Sequence, residues 1–284
     1  MLVYVNGTIL PLEEASISPL DRGFIFGDAV YEVVRFWKGR PYRLEEHVAR
    51  LRDGLSAVRI EVPAEVLAQV APRLVEANGL SAQDAIVYLQ VSRGPAPRSH
   101  AFPQVSQPTV FAFARVSDPP PAGPARLMLI ADERWGRCDV KAVQLLPNVL
   151  AAQAARDAGM QDALLVRDGL ALETTRGNLF VRGADGVLRT APNGPRILPG
   201  VTRQAALEAA AALAIPVEER AVTVEELFLA REAFLTSTTL LCQAIGEVDG
   251  RRIGDGAAGP ATSAISTRLR DEFQGVRSAA PAGS

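Results

Sequence analysis

The stretch RWGRCDVK, residues 134–141, ends on one of only two lysines in the chain. The sequence contains 30 lysines and arginines together, and the other lysine is Lys38. A guanidinium is effectively always protonated and cannot act as an amine nucleophile, whereas a lysine can once its surroundings lower its pKa. Lys38 lies in a predicted turn, whereas Lys141 opens a predicted apolar helix. Lys141 is therefore the candidate nucleophile, although a solvated lysine at a helix start would also fit its position.

Composition and charge restrict the class of protein. A chain of 284 residues with 48% apolar and 22% charged residues is an ordinary globular protein, long enough for two domains. The net charge of −2 argues against nucleic-acid binding. The N-terminus has no signal-peptide pattern, and no apolar run reaches the roughly 18 residues of a membrane helix. Two cysteines without metal or CxxC spacing predict reduced thiols and a cytoplasmic location.

Periodicity and turn signals predict a mixed α/β or α+β fold without regular βαβ alternation. Asn6-Gly7 predicts a hairpin. Residues 117–124 contain four prolines and are predicted to form a stiff linker. The linker separates a predicted N-terminal domain, residues 1–116, from a larger C-terminal domain, residues 125–284, that carries Lys141.

Three further segments have predicted conformations. Residues 21–28 are predicted to be a glycine-punctuated loop. Residues 142–158 are predicted to be a helix with an apolar side that includes Leu146, Val149 and Leu150. The tail, residues 278–284, is predicted to be disordered.

The common catalytic motifs do not occur in the sequence. Neither lysine follows a glycine, so a P-loop is excluded, and there is no GxSxG and no GxGxxG after a strand. Two histidines and two separated cysteines argue against a histidine- or thiolate-rich metal site.

The remaining candidates are small groups of polar residues. The stretch 200–202, Gly-Val-Thr, opens a predicted helix whose N–H groups suit a phosphate, although Thr202 could instead cap that helix. Glu173 ends a predicted strand, where it could serve as an acid for a ligand or simply as a turn residue. Arg98 and His100 lie two apart in a loop and could clamp a carboxylate or simply face solvent. A lysine, a phosphate cradle and an acid together match the needs of pyridoxal 5′-phosphate (PLP).

The chain resembles the D-amino-acid aminotransferases of PLP-dependent fold type IV over nearly its whole length. The stretches that carry the resemblance are residues 21–34, 46–51, 93–100, 134–141, 173–180 and 235–239. The resemblance implies the two-domain fold of aminotransferase class IV.

The resemblance also implies roles for individual residues around PLP. Lys141 is implied to be the Schiff-base lysine that moves a proton between the substrate Cα and the cofactor. Glu173 is implied to partner the pyridine nitrogen, and Arg50 to bind the phosphate. The other implied cofactor contacts are Leu198 on the ring and Val201, Thr202 and Thr238 at the phosphate.

The resemblance further implies a substrate carboxylate trap formed by Tyr31, Arg98 and His100. Arg98 and His100 are implied to reach the neighbouring subunit's site, which makes the protein a homodimer. The implied reaction converts D-alanine, or another D-amino acid, and 2-oxoglutarate into pyruvate, or the corresponding 2-oxo acid, and D-glutamate through a pyridoxamine form. The alternatives are an L-branched-chain aminotransferase and a 4-amino-4-deoxychorismate lyase of the same fold.

The chain departs from the family pattern at three positions. Arg176 replaces a small residue after Glu173. Leu240 and Leu241 stand where better-known members carry a polar and an acidic residue. These departures leave the preferred side chain of the substrate open, but they do not affect the reaction type.

Overall fold

The structure is a computed structural model that describes residues 1–275, and its internal contacts divide the chain into two units. The first unit comprises Met1–Pro119 and Val140–Leu145, and the second comprises Pro120–Asp139 and the chain from Leu146 onwards. The division between Pro119 and Pro120 falls within the predicted linker. Lys141 belongs to the first unit, which differs from its predicted place in the C-terminal domain. The predicted disordered tail lies outside the described residues.

The first unit contains six antiparallel strands and three α-helices, with a short 3-10 helix at Leu12–Glu14. In chain order its elements are β1 (Leu2–Val5), β2 (Thr8–Pro11), α1 (Arg22–Phe26), β3 (Ala29–Trp37), β4 (Arg40–Pro41), α2 (Leu44–Val58), α3 (Val66–Ala77), β5 (Asp84–Ser92) and β6 (Thr109–Val116). The sheet has the order β2-β1-β6-β5-β3-β4. The predicted hairpin joins β1 to β2, with Asn6 and Gly7 at positive φ. One face of the sheet packs on α2 and α3 through a continuous apolar core.

The second unit, as far as Gly275, contains ten strands and four helices. Its elements are β7 (Ala125–Ala131), α4 (Leu146–Asp157), β8 (Asp162–Arg167), β9 (Leu170–Thr174), β10 (Asn178–Arg182), β11 (Leu188–Thr190), α5 (Val201–Ala212), β12 (Val217–Glu219), β13 (Val222–Thr223), α6 (Val224–Phe228), β14 (Glu232–Ser237), β15 (Leu241–Val248), β16 (Arg251–Arg252) and α7 (Pro260–Gln274). The sheet mixes parallel and antiparallel pairs, which confirms the predicted class without βαβ alternation.

A pairing between β9 and β10 closes six strands of the second unit into a ring, in the order β10-β14-β15-β7-β8-β9. The closing pair is Asn178 opposite Glu173. Both side chains are almost completely buried. Strand closure therefore places the predicted cofactor acid beside an amide side chain inside the unit.

Two predicted conformations are wrong. The segment predicted as a loop at residues 21–28 contains the short helix α1, which Asp21 caps by accepting a hydrogen bond from the Gly23 N–H. The helix predicted from residue 142 begins at Leu146. Residues 140–145 are extended instead, because backbone groups of this segment pair with β3.

The apolar side predicted for the helix after Lys141 is also misplaced. Leu146, Val149 and Leu150 are 58–68% exposed, while Ala151 and Ala155 pack on the sheet of the second unit. Small alanines let the helix lie close to β8. Within residues 1–275, none of the helices is long and apolar enough to cross a bilayer.

Candidate active site

Lys141 lies in the extended segment that pairs with β3. The Tyr31 N–H donates to the Lys141 carbonyl at 3.0 Å, and the Val143 N–H donates to the Ala29 carbonyl at 3.2 Å. The Lys141 Nζ lies 4.2 Å from the centroid of the Tyr31 ring. An ammonium over an aromatic face is attracted by the ring quadrupole. The backbone pairing therefore brings the candidate nucleophile and one predicted substrate residue together.

Tyr31 continues into an aromatic row that the sequence analysis did not identify. Its ring stacks on Tyr88 of β5 at 5.4 Å, and Tyr88 stacks on Phe113 of β6 at 5.2 Å. Alternate residues of a strand share one face, so these side chains lie opposite the apolar core. The alternation in β5 and β6 is the signal that would have predicted them.

Arg50 lies in a buried cluster with Glu32 and His47. Its Nε donates to Glu32 Oε1 at 2.7 Å, and an Nη donates to Oε2 at 2.8 Å. His47 Nδ1 lies 2.8 Å from Glu32 Oε2. His47 and Arg50 are three residues apart in α2 and share one face of the helix, and Glu32 of β3 is the acid that both contact.

The charges in this cluster follow from its hydrogen bonds. Burial opposes ionisation of Glu32, but Arg50 and His47 outweigh it and hold the pKa of this carboxyl well below its usual range. Burial lowers the pKa of His47, so the ring is neutral at pH 7. An ionised carboxylate only accepts, so Nδ1 of this neutral ring carries the proton that is donated to Glu32. The result is a bidentate ion pair that fixes the Arg50 guanidinium.

Arg98 and His100 lie exposed on the loop between β5 and β6. Their side chains meet at one ring: the Arg98 Cζ lies 5.4 Å from the Phe26 centroid, and the His100 ring lies 5.7 Å from it, edge to face. Buried Arg22 holds the loop, since its Nη atoms donate to the carbonyls of Ser99 at 2.6 Å and His100 at 3.3 Å. Neither Arg22 nor Phe26 was predicted from the sequence as a site residue.

Glu173 is the buried acid of the second unit. Arg134 Nη1 donates to its Oε1, and Asn178 Nδ2 donates to its Oε2 at 2.9 Å. The Leu198 N–H lies 3.1 and 3.2 Å from the two oxygens. Burial raises the pKa of Glu173 to about 7, although Arg134 and the Leu198 amide favour its charged form. The carboxylate is thus held in place and titrates near neutral pH.

Leu198 connects Glu173 to the start of α5. The carbonyl of Leu198 accepts from Asn178 Nδ2 at 2.9 Å, and Gly200 is the N-cap residue, without a side-chain cap. A Cβ on Gly200 would lie 2.1 Å from Asn178 Oδ1, so this position requires glycine. Val201 and Thr202 are the first helical residues, whose N–H groups have no acceptor within the helix. Thr202 therefore does not cap the helix with its side chain as an N-cap residue would.

Thr238 lies in the turn between β14 and β15 and is half-buried. The Leu240 N–H donates to Ser237 Oγ at 3.2 Å in this turn, and Leu241 follows at φ 58°. Of the departures from the family pattern, Leu241 is buried and Leu240 half-buried, whereas Arg176 is exposed and 3.4 Å from Asp162.

The predicted site residues fall on both units. Those of the first unit are Tyr31, Arg50, Arg98, His100 and Lys141, and those of the second are Glu173, Leu198, Val201, Thr202 and Thr238. The structure joins Lys141 to Tyr31, Arg98 to His100, and Glu173 to Leu198.

Known proteins are similar in sequence to this chain over most of its length. The family model for amino-transferase class IV matches residues 29–248. A D-alanine aminotransferase of Bacillus licheniformis is 37% identical, with 96% of this chain and 97% of the relative covered. A D-alanine aminotransferase of Staphylococcus haemolyticus is 33% identical, with coverages of 92% and 93%.

A solved structure extends the likeness to three dimensions. The branched-chain aminotransferase of Thermoproteus uzoniensis, determined with norvaline, aligns with a TM-score of 0.88 and 28% identity, over 98% of this chain and 96% of the other. These matches confirm the fold type IV architecture that the sequence motifs predicted. The chain belongs to the aminotransferase class IV family.

Proposed function

We propose that this aminotransferase is a D-amino-acid transaminase that transfers the amino group of D-alanine, or of another D-amino acid, to 2-oxoglutarate. The observation that carries the proposal is the meeting of Arg98 and His100 on one aromatic ring, held there by Arg22. Two neighbouring N–H donors of this kind suit a carboxylate. The two D-alanine aminotransferases described above support the same substrate class.

Class IV aminotransferases use PLP, which supplies an electron sink for the charge that develops at the substrate Cα. The second unit fits this cofactor in two respects: Glu173 is a buried acid, and the glycine start of α5 leaves N–H groups for a phosphate. We assign Glu173 to the pyridine nitrogen. The remaining assignments in this unit are Leu198 against the ring and Val201, Thr202 and Thr238 at the phosphate.

The first unit supplies the amine and a further cation. Lys141 is assigned to hold the cofactor and to move the proton between the substrate Cα and the cofactor. Its Nζ lies over the Tyr31 ring, which orients the amine. Arg50 is assigned to the phosphate, with Glu32 fixing the plane of the guanidinium.

Stereochemistry follows from where the substrate carboxylate is held. Lys141 takes the α-hydrogen from one fixed face, so the position of the carboxylate decides which enantiomer presents its hydrogen. Tyr31, Arg98 and His100 are assigned as the carboxylate trap of a D-amino acid.

The substrate class can be tested by mixing PLP-loaded protein with single amino acids under single-turnover conditions. D-alanine is expected to bleach the absorbance band of the bound cofactor and to release pyruvate. The branched-chain activity named for the Thermoproteus uzoniensis structure makes L-leucine the matched control. Bleaching by L-leucine but not by D-alanine would overturn the stereochemical assignment. Formation of p-aminobenzoate from aminodeoxychorismate would instead identify a lyase.

The protein is further proposed to act as a homodimer in which Arg98 and His100 serve the neighbouring subunit's site. Both side chains are exposed in the single chain, and the exposed rings of Phe24 and Phe102 accompany them in the same unit. Exposed apolar side chains beside polar ones are typical of protein interfaces.

Subunit complementation tests this arrangement. Lys141→Ala and Arg98→Ala proteins are each expected to show little activity with D-alanine. Mixed dimers contain one site with an intact lysine and an intact arginine if Arg98 acts across the interface. Recovered activity therefore supports the proposal, and its absence in dimers shown to have exchanged subunits contradicts it.

A cytoplasmic location is proposed from the two cysteines. Cys138 and Cys242 are free thiols, as expected in a reducing compartment.

A further inference from the structure

Glu173 lies at the end of a chain of alternating charges in the second unit. Arg134 Nη1 donates to Glu173 Oε1, and the same guanidinium donates from Nε to Asp132 Oδ1 at 2.8 Å and from the other Nη to Asp132 Oδ2 at 3.0 Å. Asp132 in turn lies 3.0 Å from Arg167. Arg134 is thus shared between two acids.

Asp132 determines where Arg134 can point. Its side chain is completely buried and takes two side-chain donors and the backbone N–H of Arg134. These bonds fix the plane of the guanidinium, so that Nη1 faces Glu173. An ammonium is a point charge that cannot form this planar fork, so a lysine would not replace Arg134.

The other groups that donate hydrogen bonds to Glu173 orient it but carry no charge. Asn178 Nδ2 and the Leu198 N–H are neutral donors. The nearby Cys138 thiol is neutral at pH 7, because burial raises its pKa. Asp132 opposes ionisation of Glu173 by repulsion. Arg134 is therefore the cation bonded to this acid.

We propose that Arg134 is a positioning residue that favours the ionised form of Glu173 and orients it, so that this carboxylate can accept the pyridine N–H of the cofactor. The proposal rests on the proposed role of Glu173. Burial raises the pKa of Glu173 to about 7 even with Arg134 in place. Without that cation the acid would be protonated at neutral pH and would offer the ring a neutral partner.

The cofactor-free protein tests the link between Arg134 and Glu173 directly. The glutamate side-chain carboxyl carbons of isotope-labelled protein are followed by NMR as the pH is varied. The Glu173 signal is assigned by its loss in Glu173→Gln. Arg134→Gln is expected to raise the Glu173 midpoint by about one to three pH units, the usual effect of an adjacent cation. Arg167→Gln is the matched control, because Arg167 contacts Asp132 and the Arg134 carbonyl. Equal shifts in the two variants, or no shift in Arg134→Gln, would overturn the proposal.

A second variant, in which the Glu173 midpoint is expected to move in the opposite direction, tests the proposal even if Arg134→Gln does not fold. Asp132→Asn removes the acid that competes for Arg134 and keeps the cation. The Glu173 midpoint is expected to fall in this variant. A midpoint that rises or stays constant contradicts the proposed sharing of Arg134.

The cofactor provides a second readout. Arg134→Gln is expected to weaken PLP binding about tenfold or more at neutral pH, since the ring loses a charged acceptor. Binding of 1-deazapyridoxal 5′-phosphate, which has a C–H in place of the ring nitrogen, is expected to change little. An equal loss for both compounds would indicate a merely structural role. If neither compound binds the wild-type protein, the proposed cofactor site fails while the NMR titration still decides the role of Arg134.

Discussion

Glu32 in the first unit and Glu173 in the second are both buried carboxylates bonded to an arginine, yet their pKa values are shifted in opposite directions. Glu32 receives two donors from Arg50 and one from His47. Glu173 receives one donor from an arginine that also serves Asp132. Burial penalises both charges. The undivided guanidinium of Arg50 outweighs this penalty at Glu32, whereas Arg134, which is shared with Asp132, does not outweigh it at Glu173.

The opposite pKa shifts of Glu32 and Glu173 suit the two carboxylates to different roles. The Glu32 carboxylate stays ionised at all physiological pH values and anchors Arg50. The Glu173 carboxylate titrates near pH 7 and can respond to a ligand that brings a positive charge. A group whose pKa is strongly perturbed by burial and by a specific partner is a candidate for a functional site.

The largest expected effect comes from breaking the ionised cluster. Glu32→Gln leaves Arg50 with a neutral partner, and the Gln amide faces two other donors. Loss of one member of a buried ion pair costs about 3–5 kcal/mol. The free energy of unfolding of the cofactor-free protein in urea at pH 7 measures this cost. Glu173→Gln is the matched control, and its cost is expected to be clearly smaller. Equal costs for the two variants would contradict the comparison.

The pH dependence of stability sharpens the same comparison. The folded-state pKa of Glu173 is raised from 4.5 to about 7, so the folded state holds this proton more tightly than the unfolded state. The stability of the wild type relative to Glu173→Gln should therefore fall as pH rises from 4.5 to 7, by on the order of 1–3 kcal/mol. The pKa of Glu32 is lowered, so its contribution should be lost only as pH falls below 4.5. Urea titrations at several pH values measure both trends, and a flat difference for Glu173→Gln would count against its raised pKa.

The smallest expected effect is that of His47. His47→Leu removes one hydrogen bond to Glu32 while Arg50 remains, at a cost of about 1–2 kcal/mol at pH 7. The folded-state pKa of His47 is lowered from 6.5, so the wild type loses stability as pH falls below 6.5. The cost of His47→Leu should therefore shrink between pH 6.5 and 5. Thermal unfolding across this range is the measurement, and a cost that grows on acidification would show a protonated, paired His47.

Local signals predicted many of the elements well. The Asn6-Gly7 hairpin follows from turn chemistry, which acts over a few residues. The helix predicted from Lys141 was wrong, because pairing with β3 is a contact across more than a hundred residues. The exposed side of α4 could not be predicted either, because the apolar spacing does not indicate which side of the helix faces the sheet.

The same contrast between local signals and long-range contacts applies to the candidate site. The sequence by itself identified the residues proposed for the chemistry: a rare lysine at 141, an acid at 173, a glycine start for α5 and the Arg98/His100 pair. Only the tertiary structure decided what surrounds them, namely Glu32 beside Arg50, Phe26 beneath Arg98, and Arg134 shared by Asp132 and Glu173. Residue type sets the possible charge and bonding of a side chain, but its burial and its neighbouring charges set its ionisation. Both depend on contacts between strands that are far apart in the chain.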